Sequence, residues 1–286
     1  MKHNGVLLLG GTGFIGSALA ARLKREKRRV YVLGRNDGER LEQVLPQCGT
    51  VIHLASATTP GSSARHPGLE LANIALTLRL LELLQGQPDT HLIFFSSGGT
   101  IYGNPDRLPV IEDAPITPLS SHGAGKAAQE AFCQTLYVQG HAVTILRPSN
   151  AYGPGQTRKI GFGLVRTMLE HIRAGTSMEI WGDGENIRDF IYIDDVVEAT
   201  MRLIKLPQDS GTYNLGSGMG YSINQVQTIV EAVCGKELQT TCRQARGVDV
   251  RSVVLDNYRL RARISWQPIF ELPDGVARTW EWLQKS

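Results

Sequence analysis

Apolar residues along this chain fall into two alternating patterns. Short runs of leucine and β-branched residues, at Val6–Leu9, Val30–Leu33, Val51–Leu54, Leu92–Phe95 and Val143–Leu146, are separated by stretches with helical spacing at Ile15–Lys24, Glu70–Leu84 and Ala124–Val138. The runs have strand length, and strands alternating with helices predict an α/β fold with a doubly wound parallel sheet. The helix over 70–84, "ELANIALTLRLLELL", is apolar nearly all round, so two of its sides need cover. One side is expected on the sheet. The other is expected against a second subunit, beside the helix that follows Lys126; a C-terminal segment of the same chain is the alternative cover.

Residues 34–50, between the second and third runs, are too few for a further strand with its crossover helix. The usual third strand of the first mononucleotide-binding half is therefore expected to be missing or vestigial. Beyond about residue 155 the pattern loosens, and Gly/Pro-rich "YGPGQTRKIGFG" opens a helical stretch at Leu164–Ala174. The division expected is a dinucleotide-binding domain over 1–155, to which 190–216 returns, and a smaller C-terminal substrate domain from 156–189 and 217–286.

Composition narrows the class. A chain of 286 residues with 42% hydrophobic content buries a large core. Its longest apolar runs fall far below the roughly 20 residues that span a bilayer, and Met1 runs into "VLLLGGTG" too soon for a signal peptide. A cytoplasmic protein without membrane partners is expected. Cys48, Cys133, Cys234 and Cys242 lack metal-ligand spacing and sit in core-like segments, so buried free thiols are expected, with neither metal nor disulfide. A net charge of +3 is too small to argue for nucleic acid, while a phosphorylated small molecule stays possible.

The first chemistry lies in "VLLLGGTGFIGSALAARL", where Gly10, Gly11, Gly13 and Gly16 stand between a strand and a helix. Gly13 lets the backbone approach a pyrophosphate at the helix N-terminus, and Gly16 lets helix and strand pack closely. Gly10, Gly13, Phe14, Ile15 and Gly16 form the candidate dinucleotide loop. The second strand ends "VYVLGRND": Gly34 occupies the place of the carboxylate that binds a ribose 2′-hydroxyl, and Arg35 follows. A guanidinium without a carboxylate favours NADP; Asp37, swinging back, would restore NAD. Arg35 as a plain surface residue is the alternative.

Taken together, "GGTGFIG", "VIHLAS" (51–56), Asn73, "FFSSGGTIYG" (94–103), "LRPSNAYGPGQ" (146–156), "WGDGENIRDFIYIDDVVEA" (181–199), "YNLGSG" (213–218) and "RGVDVRSVVLD…ISWQP" (246–268) resemble the extended short-chain dehydrogenase/reductases. The branch is that of the NAD(P)-dependent nucleotide-sugar epimerases and dehydratases, which contains UDP-glucose 4-epimerase. The resemblance runs over almost the whole chain. It implies a Rossmann-like domain, a smaller domain closing over a nucleoside diphosphate sugar, and often a homodimer through a four-helix bundle. It also implies hydride transfer between sugar carbon and nicotinamide, with a tyrosine moving the hydroxyl proton. A lysine four residues later lowers the tyrosine's pKa, and a serine or threonine completes the hydrogen bonding. By resemblance Leu54, Ala55, Asn73, Ser96, Lys126 and Pro148 line the cofactor, while Asn150, Arg188 and either Arg251 or Arg246 meet the substrate. Arg188 paired with Asp189 or Asp194, and Asn150 as a turn residue, are the alternatives.

Here the chain departs from the pattern: His122 stands in the tyrosine position and Gly98 in the serine position, with Lys126 and Thr100 retained. Histidine is a common general acid or base. On accepting a proton, however, it becomes a cation beside Lys126, which makes it a poor base for sugar oxidation and a better donor for ketone reduction. A polar residue at a helix start, capped by Ser120 or Ser121, is the bland reading. The functional expectation is an epimerase or 4-ketoreductase acting on a UDP-hexose-like substrate. The alternative is a cofactor- and sugar-nucleotide-binding protein with little turnover. Dehydration is disfavoured, since no Asp-Glu pair flanks Thr100.

Overall fold

The computed structural model describes residues 4–34, 37–158, 163–245 and 249–286. Along the chain, β1 (Gly5–Leu9) leads to α1 (Phe14–Arg25), β2 (Val30–Leu33), α2 (Gly38–Val44), β3 (Cys48–His53), α3 (Pro60–Arg65), α4 (Glu70–Gln85) and β4 (His91–Phe95). Next come α5 (Gly98–Ile101), α6 (Ser121–Val138), β5 (Val143–Pro148), β6 (Asn150–Tyr152), α7 (Leu164–Ala174), β7 (Met178–Trp181), β8 (Ile187–Tyr192), α8 (Ile193–Ile204) and β9 (Gly211–Leu215). The chain ends with β10 (Gly220–Ser222), α9 (Ile223–Cys234), β11 (Thr240–Arg243), β12 (Ser252–Val253), α10 (Tyr258–Ile264) and α11 (Leu272–Gln284).

Six strands form one parallel sheet in the order β2-β1-β3-β4-β5-β9. Its strands are largely apolar because both faces are covered, with Thr50, His53, His91, Thr144, Arg147 and Asn214 as buried polar exceptions. Val6, Leu8, Ile52, Ile93 and Phe95 pack with Leu19 and Leu23 of α1 and Val196 of α8. Leu7, Leu9, Val51, Leu92 and Phe94 pack on the other face with Leu80 and Leu84 of α4 and Cys133 and Leu136 of α6. Among the described residues β2 is the sheet's edge: the segment before β3 holds only α2 and a single 3-10 turn at Leu45–Gln47, as its length requires. Beyond this sheet, β8 pairs with β6, β10 and β12, and β7 pairs with β11. Among the described residues no helix is long and apolar enough to cross a membrane.

Three local expectations need correction. The helix expected to begin at Ala124 begins at Ser121, because the Ser120 side chain accepts from the Gly123 N–H and caps it earlier. Only Cys48 and Cys133 are buried; Cys234 is half-buried and Cys242 is exposed, since β11 belongs to a two-stranded ribbon with little cover. Among the described residues no C-terminal segment covers the second side of α4. Leu71 is 70% and Leu78 36% exposed there, with Phe132, Tyr137 and Val138 exposed on the adjacent α6.

Candidate active site

The glycine loop is shaped by close backbone approach. Gly10 has φ +89°, and a Cβ there would stand 2.5 Å from the Ala55 nitrogen. A Cβ on Gly16 would stand 2.5 Å from the Gly10 carbonyl oxygen, and one on Gly13 3.3 Å from the same atom. No other residue type fits at Gly10 and Gly16. Helix α1 begins at Phe14 with no side-chain cap, so the N–H groups of Phe14, Ile15 and Gly16 lack intrahelical acceptors and suit a diphosphate. At the same end of the sheet, Leu54 follows β3 and Pro148 closes β5. The Ser96 hydroxyl, just beyond β4, is sealed without a hydrogen-bond partner. A glycine cradle at a helix N-terminus, with a buried orphan hydroxyl at the same end of the sheet, fits a dinucleotide.

Gly34 is followed by Arg35, which lies outside the described residues, as does Arg246. Asp37 does fold back: its Oδ2 accepts from the Gly34 N–H at 2.7 Å. A Cβ on Gly34 would stand 3.5 Å from Asp37 Oδ2 and 3.7 Å from Thr12 Oγ1. A carboxylate therefore stands at the end of β2 beside the glycine loop, supplied from three residues further on.

Helix α6 carries His122 and Lys126 one turn apart, both buried. Gly123 allows this helix to start against α5, since a Cβ there would stand 2.5 Å from the Thr100 carbonyl oxygen. Lys126 Nζ donates to the Phe95 carbonyl at 2.8 Å, over the Phe94 ring, and burial pushes its pKa down to about 8. The His122 Nδ1 lies 3.3 Å from Thr58 Oγ1 and 3.5 Å from Glu70 Oε1. Burial, and then the Lys126 charge, hold the imidazole below its ordinary pKa, while Glu70 opposes them. Both causes disfavour the imidazolium, and burial outweighs the lysine.

Glu70 is itself buried at the start of α4. Burial pushes its carboxyl up, but Thr58 and Asn73, as hydrogen-bonding neighbours, help bring it below the ordinary value. Asn73 donates from Nδ2 to Glu70 Oε2 at 2.7 Å and to Thr58 Oγ1 at 2.9 Å, and its Oδ1 accepts from the Ala57 N–H. The predicted cofactor asparagine thus braces the loop after β3 and the buried carboxylate. Thr100 Oγ1 donates to Ser97 Oγ at 2.9 Å.

On the substrate side, Asn150 is exposed, and its Nδ2 donates to the Asp189 carbonyl at 2.9 Å. That amide lies 3.7 Å from where a Cβ on Gly99 would be, so Asn150 adjoins α5, which carries Thr100. Arg188 is held by the carbonyls of Ile187 at 2.9 Å and Arg251 at 3.3 Å, and burial holds its pKa below the usual arginine value. It does not pair with Asp189. That buried carboxylate accepts instead from Ser217 N and Oγ, Gly218 N and Leu255 N. Arg251, exposed, donates its N–H to Asn104 Oδ1. The structure thus brings the Arg188 side chain to the Arg251 backbone. Sequence reasoning missed Glu70 and Thr58. The one available signal was Glu70 three residues before Asn73, on the same helical face.

Residues 6–216 match the NAD dependent epimerase/dehydratase family. The chain is 29% identical to a UDP-glucose 4-epimerase of Mycolicibacterium smegmatis over 98% of both chains. It is similar to the crystal structure of UDP-glucose 4-epimerase from Thermotoga maritima with UDP-glucose, at 30% identity and TM-score 0.90, covering 98% of this chain and 99% of that one. It is also similar to the Thermus thermophilus UDP-glucose 4-epimerase in complex with NAD, at 28% identity and TM-score 0.91, over 99% of each chain. The glycine cradle and the lysine on α6 therefore sit in a frame shared over nearly the full length, and the chain belongs to the NAD dependent epimerase/dehydratase family of extended short-chain dehydrogenase/reductases.

Proposed function

We propose that this chain is an NAD-dependent 4-epimerase of a UDP-hexose in which His122 moves the proton of the sugar's 4-hydroxyl. The observation that carries this reading is the setting of His122. Its Nδ1 faces Thr58 and Glu70, its Nε2 has no hydrogen-bond partner among the described residues, and Lys126 lies one turn away. NAD, when bound, takes up and returns the hydride at the sugar carbon. His122, neutral beforehand, accepts the hydroxyl proton at Nε2 and gives it back when the ketone is reduced on its other face. Glu70 supplies the countercharge that a tyrosine would not need, so the cation formed at His122 is less costly than Lys126 alone would make it. Lys126 binds the cofactor's ribose, Thr100 bonds the sugar hydroxyl, and Asn150, Arg188 and Arg251 hold the nucleotide end.

NAD rather than NADP is supported by Asp37, whose carboxylate at the end of β2 suits a ribose 2′-hydroxyl and repels a 2′-phosphate. The neighbouring apolar residues of α4 and α6 support a homodimer across that face. The return of β9 to the large sheet supports a cofactor domain over 1–155 and 190–216, with a substrate domain from the remainder. The exposed free thiol of Cys242 supports a reducing, cytoplasmic setting.

The test is purified protein with NAD and UDP-glucose, followed by NMR for UDP-galactose. Conversion that His122→Phe abolishes supports the reading. Binding of NAD and UDP-glucose by calorimetry, with no conversion, would replace it with a binding protein that has lost its chemistry.

A further inference from the structure

We propose that Glu70 is a positioning residue for His122, and that Asn73 and Gly125 set the carboxylate in place to receive the Nδ1–H of the imidazole. This rests on the reading of His122 as the proton carrier. Glu70 Oε2 is occupied by Asn73, at 2.7 Å. The other oxygen, Oε1, is sealed from solvent and makes no hydrogen bond of ordinary geometry, although Thr58 and Ser63 are hydrogen-bonding neighbours of the carboxylate; a buried carboxylate oxygen left so is costly. His122 Nδ1 stands 3.5 Å from it. Catalytic hydrogen bonds are often long in the free enzyme and tighten when charge develops. Proton uptake at Nε2 makes the ring a cation, and Oε1 is then the acceptor facing Nδ1–H.

Two features indicate a built arrangement. A Cβ on Gly125 would stand 2.6 Å from Glu70 Oε2, so a glycine in α6 makes room for this carboxylate between the helices. The Asn73 amide is fixed in orientation, because its Oδ1 accepts from the Ala57 N–H and its Nδ2 must therefore donate to residue 70. The charged groups bearing on the ring are Lys126 on its own helix and Glu70 across from it, with the neutral Thr58 between. The competing arrangement is a Thr58 hydroxyl that donates to Nδ1, which would put the ring proton on Nε2 and spoil it as a base.

Glu70→Gln separates these. Asn73 demands an oxygen, so the introduced amide turns its carbonyl to Asn73 and its NH2 to His122, and Nδ1 must become the acceptor. The expected result is a change of tautomer from Nδ1–H to Nε2–H, read by long-range 1H–15N NMR on histidine-labelled full-length protein, with His122→Asn assigning the signal. Glu70→Gln should also lower kcat by on the order of 10²–10⁴ with little change in KM, as a wrong tautomer does in a carboxylate–histidine pair. An Nε2–H tautomer in the unaltered protein, or the same tautomer in both proteins, would overturn the proposal. So would a lower melting temperature in Glu70→Gln without a tautomer change, which a purely structural role at the start of α4 predicts. If the unaltered protein turns over no nucleotide sugar yet the tautomer switches, the epimerase reading fails and the Glu70–His122 pair stands. If it turns over and Glu70→Gln alters neither tautomer nor kcat, the pair fails and the epimerase reading stands.

Discussion

Leu255 occupies the space that a side chain at residue 98 would need: a Cβ on Gly98 would stand 2.5 Å from Leu255 Cδ1 and 2.8 Å from the Arg147 carbonyl oxygen. The leucine is itself fully buried, with its N–H fixed on Asp189. The site is thus closed around Gly98, where the resemblance would place a serine. Gly98→Ser should therefore fail to raise epimerase activity and should cost about 1–3 kcal/mol of stability by overpacking. Thermal unfolding beside the UDP-glucose assay checks both parts; a variant at least as stable and more active would refute the packing argument.

Placing at residue 122 the tyrosine that the resemblance implies has an unusual expected outcome. Glu70 favours a protonated imidazole, but the same anion disfavours a tyrosinate. His122→Tyr alone should therefore be a poor epimerase, with its phenol pKa raised. Glu70→Gln, harmful beside His122, should be beneficial beside the tyrosine. The kcat values of the two single variants and the double variant form the cycle. A double variant no better than His122→Tyr would count against the electrostatic account.

Much of this was legible in the sequence, for identifiable reasons. Gly10 and Gly16 could be read because close backbone approach tolerates no other residue, and the edge position of β2 followed from counting residues to the next strand. Helix α7 matched its predicted limits, Leu164–Ala174. What stayed hidden depends on packing between distant segments: Glu70 against His122 across two helices, and Leu255 over Gly98. The cover over α4 was also undecidable from periodicity, which registers an apolar face without saying what meets it. Asp37 was visible, but its bond to Gly34 N is a property of the turn.

That bond carries a cofactor prediction. Asp37→Ala removes the carboxylate from the end of β2, and affinity for NAD should fall while that for NADP holds or rises. The ratio of dissociation constants, measured by calorimetry, is expected to shift about tenfold or more toward NADP, the equivalent of about 1.4 kcal/mol. An unchanged ratio would assign cofactor choice to other residues.

The exposed apolar residues of α4 and α6 predict self-association. Leu71→Glu with Leu78→Glu places charge in the proposed contact and should convert a dimer to a monomer in sedimentation velocity, with the fold retained by circular dichroism. A monomeric unaltered protein at micromolar concentration would remove the dimer from the proposal.

Acid sensitivity has a definite sign. Burial pushes the His53 pKa down to about 3 and that of His91 to about 4, against about 6.5 in an unfolded chain. Between those values the unfolded chain binds more protons than the folded one, so stability is complete above about pH 6.5 and falls as pH drops toward 3–4. Each group contributes a slope of about 1.4 kcal/mol per pH unit within its window. His53→Leu removes one such proton; its stability at pH 7 should be lower, since the bond between His53 Nε2 and Thr77 Oγ1 is lost, yet its decline between pH 6 and 5 should be shallower by one proton's slope. Activity should follow a different curve. The low pKa of His122 puts the acid limb of kcat/KM below 6.5, and Lys126 near 8 sets an alkaline limb. Denaturant titrations across this range, run beside the activity profile, separate the two: if His53→Leu and the unaltered protein lose stability in parallel, His53 is protonated in the folded state and the burial argument fails.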